Sequence, residues 1–483
     1  MSLVRRATLN IALKALGELG RFAWALLLIL VARHLGGESL GRIAFAYSFT
    51  TIFVLLTDLG MNILVVREVA RDRAAAGYYL GNLLSLKLVS APVAFGLIVA
   101  AITLSGYRSD VVTVVLLFAG ITIARGVLEL YGAVFSGLEV MGREAVLKNL
   151  YQMGLLLSGG IALALGHGPL GLSVALLISS LLVVLIGSGM VRRAMPFVRL
   201  HWDGALWLSL LRRALPLAMT TIFIILYNES DVVLLSYLGE GELEVGAYAA
   251  ASKILKSLQL IPMFIVSGVY PVFSDLARGP KGALNTAYRG TLKLLLIIAI
   301  PLAIVVARFA DLFIVLIYGQ GFTLAIPPLR LLAVSIPFVY LGYVLVNVLV
   351  SSDHLAWAAL VTGAACAINV ASNLLLIPVF GISGSAIAAT AAQGTLVVIG
   401  AVAIERAVTR SGWVQLASKP MVAGAAMLLT MTLVARTSWF LAFPAGIGAY
   451  LLALVLTGSL REEEFAAVKR LWRNAEPNRA LNP

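Results

Sequence analysis

The chain has 483 residues, of which 61% are hydrophobic and 12% are charged, and its mean hydropathy is +0.99. Soluble globular domains are about half apolar and about a quarter charged, so this composition excludes an ordinary soluble protein. The net charge of +13 does not indicate a nucleic-acid-binding protein, because the basic residues are scattered between apolar runs and do not form one soluble basic domain. The sequence therefore predicts an integral membrane protein.

Apolar runs of about 20 residues, the length that crosses a bilayer, recur along the whole sequence. We predict an all-α protein with about fourteen transmembrane helices, centred near residues 21, 50, 92, 124, 155, 180, 226, 260, 298, 338, 366, 393, 427 and 449. The first run is too long for a signal peptide, so we expect it to be retained as a helix. The single cysteine, Cys366, excludes a disulfide or a cysteine metal site within the chain.

The basic residues are unequally divided between the two sides that this topology defines. If the N-terminus is cytoplasmic, most of the 36 Lys and Arg residues lie in the two tails and the even-numbered connections, Lys87 and Arg199 among them. Because Lys and Arg accumulate in cytoplasmic loops, both termini are expected in the cytoplasm. The predicted location is the plasma membrane of a prokaryote.

Two segments about 200 residues apart read as variants of one another. Residues 35–46 match residues 238–249, and the glycine-containing segment 168–175 matches 381–388. A repeat of this period in a polytopic membrane protein is typical of a transporter built from two related lobes.

The repeat predicts two six-helix lobes related by pseudo-twofold symmetry, followed by two additional helices. Trp, Leu and Arg residues in the connection between the lobes suit an amphipathic helix at the anionic membrane surface. The expected divisions are the N-terminal lobe at 1–195, a cytoplasmic amphipathic linker at 196–213, the C-terminal lobe at 214–406, two transmembrane helices at 407–460 and a cytoplasmic tail at 461–483.

Seven segments carry a further signal by their order and spacing, and they are residues 58–72, 228–231, 246–248, 271–274, 318–322, 369–378 and 381–390. Together they resemble the oligosaccharide flippases of the polysaccharide-transporter family, whose superfamily also contains multidrug/cation antiporters and the lipid II flippase. The resemblance implies two lobes around a central cavity and an alternating-access movement of a lipid-linked sugar from the inner to the outer leaflet. The implied partners are a lipid-linked oligosaccharide and membrane lipids, with polysaccharide assembly enzymes as further candidates and no nucleic acid.

Charged residues inside predicted spans cost about 2.5–3.5 kcal/mol each on insertion scales, so they usually face water or a partner. Glu18 and Arg21 share a face of the first span at i,i+3, and Arg125 and Glu129 share a face of the fourth at i,i+4. Each pair is expected either to line the cavity or simply to neutralise itself.

Two further groups lie in the seventh and eighth spans. Glu229 and Asp231 are two residues apart and therefore point in different directions, so one of them is expected to face the cavity. Asp231 lies at a depth that permits an ion pair with Lys253. Lys253 and Lys256 lie one turn apart, without an acid in their own predicted helix, and such a face suits the phosphates of a lipid carrier.

The predicted function is that of a flippase for a polyprenyl-(pyro)phosphate-linked oligosaccharide or polysaccharide repeat unit. The substrate cavity is assigned to Arg21, Arg125, Lys253 and Lys256, and charge balance or coupling to Glu18, Glu129, Glu229 and Asp231. No catalytic residue, metal site or cofactor is expected, because there is no phosphate-binding glycine loop and no soluble domain. The alternatives are a cation-coupled multidrug antiporter, which should prefer an acidic cavity, and a membrane polymerase or ligase, which would need sizeable outer loops.

Overall fold

The computed structural model describes residues 20–195, 198–278, 281–408, 413–435 and 438–459. Every regular element in these ranges is a helix, which confirms the all-α prediction. Helices satisfy their own backbone hydrogen bonds, and they are one of the two structures that a bilayer accepts. The chain is a multi-span membrane protein.

All fourteen predicted span centres fall inside helices. By length and hydropathy alone, nine helices in the described ranges can cross a membrane, or ten if the bent pair at 320–351 counts as one span. The lower number arises in part because neighbouring spans follow one another across a single glycine and are counted as one helix. The exact number of fourteen is therefore not confirmed.

Contacts divide the chain into two compact units, and the first comprises the described part of Met1–Ala249 together with Ile317–Gly321. Its helices are α1 (Arg21–Val54), α2 (Met61–Arg71), α3 (Ala76–Leu104), α4 (Ser109–Gly137), α5 (Met141–Ala164), α6 (Pro169–Ala194), α7 (Gly204–Leu238) and the beginning of α8 (Glu242–Leu258). A short 3-10 turn, Leu55–Thr57, follows α1. Helix α4 packs against α1, α3, α5 and α6 and forms much of the core of this unit.

The second unit comprises Ala250–Leu316 and the described part of Phe322–Pro483. After the end of α8 it contains α9 (Leu260–Ala277), α10 (Lys281–Arg308), most of α11 (Ala310–Tyr318), α12 (Ile326–Val334), α13 (Ile336–Ser351), α14 (Leu355–Ala407), α15 (Trp413–Val434) and α16 (Trp439–Leu456). The last two helices pack together and against α10. Tyr450 secures them by donating a hydrogen bond of 2.9 Å to the carbonyl oxygen of Ile297.

Glycines with positive φ break the helices at turns that occupy matching places in the repeat. Gly36 (φ 81°) breaks α1, and the matching residues 239–241 separate α7 from α8. Gly381 (φ 54°) breaks α14, and the matching glycine-rich segment separates α5 from α6. A side chain would be strained at these φ values, so glycine makes the sharp reversals possible.

The division into contact units does not test the predicted lobes, and the lobe boundaries stay a prediction.

The structure describes most of the predicted linker. Residues 198–203 form no regular secondary structure, and the rest of the predicted linker, from Gly204, forms the first turns of α7. Asp203 caps this helix by accepting a hydrogen bond of 2.9 Å from the backbone of Leu206. Tyr78 of α3 donates to the same carboxylate at 2.7 Å, which ties the linker to α3.

Candidate functional site

The best-defined membrane-embedded cation of the first unit is Arg125, in the middle of α4. Its Nη1 donates a hydrogen bond of 2.8 Å to the hydroxyl of Tyr47, and its guanidinium lies 5.6 Å from the centre of the same ring. Trp24 packs beside that ring at 5.5 Å. The aromatic wall stabilises the cation by cation–π attraction without neutralising it.

The predicted i,i+4 pair of Arg125 with Glu129 is present but weak. Nε of Arg125 lies 3.4 Å from a Glu129 oxygen, without the geometry of a hydrogen bond. The Glu129 side chain is 53% exposed and the Arg125 side chain 27%. The hydrogen bond to Tyr47, and not this ion pair, therefore orients the guanidinium, and contact of either charge with a ligand stays a prediction.

Glu229 and Asp231 point in different directions, as the helical spacing predicts. Glu229 accepts a hydrogen bond of 2.7 Å from Ser48 of α1. Asp231 is buried and accepts a hydrogen bond of 2.6 Å from Tyr248 of α8. Which of the two carboxylates faces a cavity, and the ion-coupling role of either, stay predictions.

Lys253 and Lys256 lie one turn apart on the part of α8 that belongs to the second unit, and both are half-buried. The expectation that their helix contains no acid is wrong, because α8 begins at Glu242 and includes Glu244. Both acids lie in the first turn, at least nine residues before Lys253. The face shared by the lysines is unaffected, and their contact with a substrate phosphate stays a prediction.

Two of the assigned residues are not placed by the structure. Glu18 lies outside the described residues, and only the backbone of Arg21, at the start of α1, is described. Their roles stay predictions.

Sequence reasoning missed two charged residues, Lys87 and Asp58, that the fold brings close together in the first unit. Lys87, which the topology counted among the cytoplasmic cations, is buried in α3 with only 8% of its surface exposed. Asp58, in the turn after α1, and Glu129 lie close enough to interact with it electrostatically. The signal available in the sequence was that Lys87 lies well inside an apolar run and is followed by Leu88 and Val89.

The arrangement offers hydrogen-bond donors and separated charges inside the membrane. In the part of the chain that the structure describes, His, Cys, Asp and Glu residues form no group of three or more that could hold a metal ion. Arginine and lysine donors suit phosphate and sugar oxygens, whereas the carboxylates suit a cation or a proton. The chemistry is that of recognition and charge compensation.

The family model described as "Polysaccharide biosynthesis protein" matches residues 10–277 of this chain. A second model, described as "MatE", matches residues 216–375. The comparison with curated proteins gives no significant match.

Solved membrane transporters share the fold at low sequence identity. A structure titled "Lipid II flippase MurJ, inward closed conformation" superposes with a TM-score of 0.74 at 13% identity, over 93% of this chain and 99% of that one. An inward-facing multidrug resistance MATE family transporter superposes with a TM-score of 0.66 at 18% identity, over 80% of this chain and 94% of that one. A transporter of the MOP superfamily from Pyrococcus furiosus superposes with a TM-score of 0.58 at 16% identity, over 84% of this chain and 95% of that one. At these identities the likeness establishes the fold.

Proposed function

Because the chain belongs to the family of polysaccharide biosynthesis proteins, we propose that it is a flippase for a polyprenyl-(pyro)phosphate-linked oligosaccharide or polysaccharide repeat unit. Family membership is the observation that carries this proposal. The structural likeness to a protein titled as a lipid II flippase, over nearly the whole of both chains, supports it. Transport proceeds by alternating access, in which the cavity opens first to the inner and then to the outer leaflet.

The charged residues inside the membrane fit this cargo. A pyrophosphate is costly to draw through an apolar passage unless cations meet it. Arg125 is held by the hydroxyl and ring of Tyr47, so its charge is positioned before a ligand arrives. We assign Arg21 of the first unit, and Lys253 and Lys256 of the second, to substrate binding as well. Glu18, Glu129, Glu229 and Asp231 balance these charges or couple transport to an ion gradient.

The membrane and topology belong to this proposal. We place the protein in the plasma membrane with both termini and the linker 196–213 in the cytoplasm, where enzymes assemble the sugar on its lipid carrier. Those assembly enzymes are its proposed protein partners. Single cysteines at linker positions in a Cys366→Ser background should react with an impermeant thiol reagent only after the cells are broken, and labelling in intact cells would contradict the topology.

A cation-coupled multidrug antiporter is the second candidate, supported by the MatE match at 216–375 and by the likeness to MATE family transporters. It would need a net acidic cavity for cationic drugs. In the first unit the cation Arg125 lies 3.4 Å from the carboxylate of Glu129, so charge in this pair is balanced. A membrane polymerase or ligase is less well supported, because the described connections between α3 and α4 and between α5 and α6 have only four residues each.

The test is to delete the gene and identify, by mass spectrometry, the lipid-linked sugar that accumulates in the cytoplasmic leaflet. Complementation with wild-type protein should clear it. A Lys253→Gln, Lys256→Gln double variant should reach normal membrane abundance without clearing it. If that variant is lost from the membrane and Asp231→Asn restores it, the lysine at 253 is a structural partner of the carboxylate. No accumulated sugar, together with lost drug resistance, would favour the antiporter.

A further inference from the structure

A cavity of about 670 Å³ lies between α3 and α4, inside the first unit. Its walls are almost entirely apolar and include Leu84, Ala91, Pro92, Phe95, Ile123 and Val127. From Leu84 to Phe95 it extends about 16 Å along α3, at 1.5 Å per residue. Leu88, another lining residue, is 57% exposed, so the cavity opens sideways towards the surrounding bilayer. These dimensions suit a hydrocarbon chain.

One wall of the cavity carries the buried ammonium group of Lys87. An ammonium has three hydrogen-bond donors. Among the described residues, the hydrogen bond found for Nζ is a long one, 3.4 Å to the carbonyl oxygen of Thr57. Buried donors without acceptors are costly, so this group calls for further oxygen atoms inside the cavity.

The charges that face Lys87 come from two other elements. Asp58 belongs to the turn after the 3-10 helix, and Glu129 belongs to α4. Oδ1 of Asp58 is buried without a hydrogen-bond partner among the described residues. The two carboxylates offset the positive charge of the lysine, but among the described residues neither of them accepts a hydrogen bond from its Nζ, which leaves donors for the oxygen atoms of a ligand.

Basic residues lie at the mouth of the cavity, where the linker passes. Leu200 lines this mouth, and its neighbour Arg199 is exposed. Arg192 is exposed and lies near Tyr131, another lining residue. An anionic headgroup at the membrane surface would therefore meet two arginines, while its chain extended past Lys87.

We propose that this cavity binds one acyl chain of an anionic membrane phospholipid. The chain lies between α3 and α4, the oxygen atoms of the glycerol-phosphate region accept hydrogen bonds from Lys87, and Arg192 and Arg199 meet the headgroup charge. The site is independent of the proposed transport function. A lipid bound there would bridge α3 and the linker, so the contact between them would depend on the anionic lipid content of the inner leaflet.

The linker passes directly beside the mouth of the cavity. The backbone of Arg199 packs so closely on Gly81 of α3 that a methyl group there would overlap the Arg199 carbonyl oxygen. This backbone contact holds the linker at the end of α3 where the headgroup of a bound lipid would lie.

The test is native mass spectrometry of the full chain, released from vesicles of phosphatidylglycerol and phosphatidylcholine with the same acyl chains. Wild-type protein should retain one phosphatidylglycerol in preference to phosphatidylcholine. Lys87→Gln should weaken its retention about tenfold, the loss of one charge-assisted hydrogen bond. Lys148→Gln, which removes an exposed lysine from α5, is the matched control and should not change it.

A second pair of variants tests the cavity without touching the charge. Ala91→Phe fills the space and should expel the lipid, whereas Ala100→Phe, at an exposed position of α3 that does not line the cavity, should retain it. If Lys87→Gln fails to fold, the Asp58→Asn, Lys87→Gln double variant restores charge balance and is measured instead.

Three results would overturn the proposal. Equal retention of phosphatidylglycerol by wild type, Lys87→Gln and Ala91→Phe would exclude the cavity as the site. Equal retention of phosphatidylcholine by the wild type would exclude recognition of anionic lipid. Displacement of the phospholipid by an equimolar polyprenyl phosphate would assign the cavity to the carrier.

Discussion

The guanidinium of Arg42 lies 2.7 Å from the carboxylate of Glu242, although the two residues are 200 positions apart in the chain. Each belongs to one copy of the repeated segment, 35–46 or 238–249. Arg42 also lies 2.9 Å from Asp110 at the start of α4. The two copies therefore meet each other within the first unit, at the end of its helices opposite to the linker.

We expect this contact to open during transport, because alternating access must separate the helices at each end of the cavity in turn. Arg42→Cys and Glu242→Cys in a Cys366→Ser background, joined by a short reducible cross-linker, should stop sugar export. Reduction of the cross-linker should restore it. The measurement is the rate at which lipid-linked sugar reaches the outer leaflet of vesicles, and export by the cross-linked protein at the uncross-linked rate would contradict the prediction.

The backbones of the two repeated segments are in direct contact at Gly41. A methyl group there would overlap the carbonyl oxygen of Glu242. Gly41→Ala should therefore destabilise the protein by about 1–3 kcal/mol, the usual cost of overpacking. Gly96→Ala is the control, since a methyl group at that helical position has open space and should stabilise by about 0.5–1 kcal/mol. Thermal unfolding in detergent measures both, and equal melting temperatures would exclude the close contact.

Arg125 should matter for export more than for stability. Arg125→Gln removes the weak ion pair with Glu129 and the contacts with Tyr47, so the free energy of unfolding should fall by about 1–2 kcal/mol. Export should be lost because the positioned cation is gone. Glu129→Gln keeps the hydrogen bond between Arg125 and Tyr47 and should retain the ability to bind lipid-linked sugar. Normal export by Arg125→Gln would show that this cation does not meet the substrate.

Asp203 should make the start of α7 sensitive to acid. Its pKa is lowered first by the hydrogen bond from the backbone of Leu206 and then by that from Tyr78. Because this pKa is lower in the folded protein, the ionised Asp203 carboxylate stabilises the fold at any pH above its pKa in the unfolded chain, which is about 3.9. This contribution to stability is lost as the pH falls through the lower pKa of the folded state. Hydrogen exchange of the first turn of α7 should therefore accelerate below about pH 4. Asp203→Asn should remove this pH dependence but keep most of the cap, whereas Asp203→Ala should expose the turn at every pH.

Features that depend on residues near one another in the chain were predictable from the sequence. The long apolar runs predicted the helices, and the predicted span centres left the segments around Gly36 and Gly381 as connections between spans. The i,i+4 spacing predicted that Arg125 and Glu129 share a face, and the helical period predicted that Glu229 and Asp231 diverge. One local expectation was wrong, since α8 extends back to Glu242 and so includes two acids.

Sequence alone determined the membrane class and the helical spans, because a bilayer forces each apolar segment to satisfy its own backbone hydrogen bonds. Which helix faces meet was decided by the tertiary structure, since lipid is as apolar as the side chains and gives no direction to helix association. Tyr47 was identified as the partner of Arg125 only through the packing of α1 on α4. Lys87 reads as a surface cation in the sequence and becomes a buried one because the turn at Thr57 closes over it.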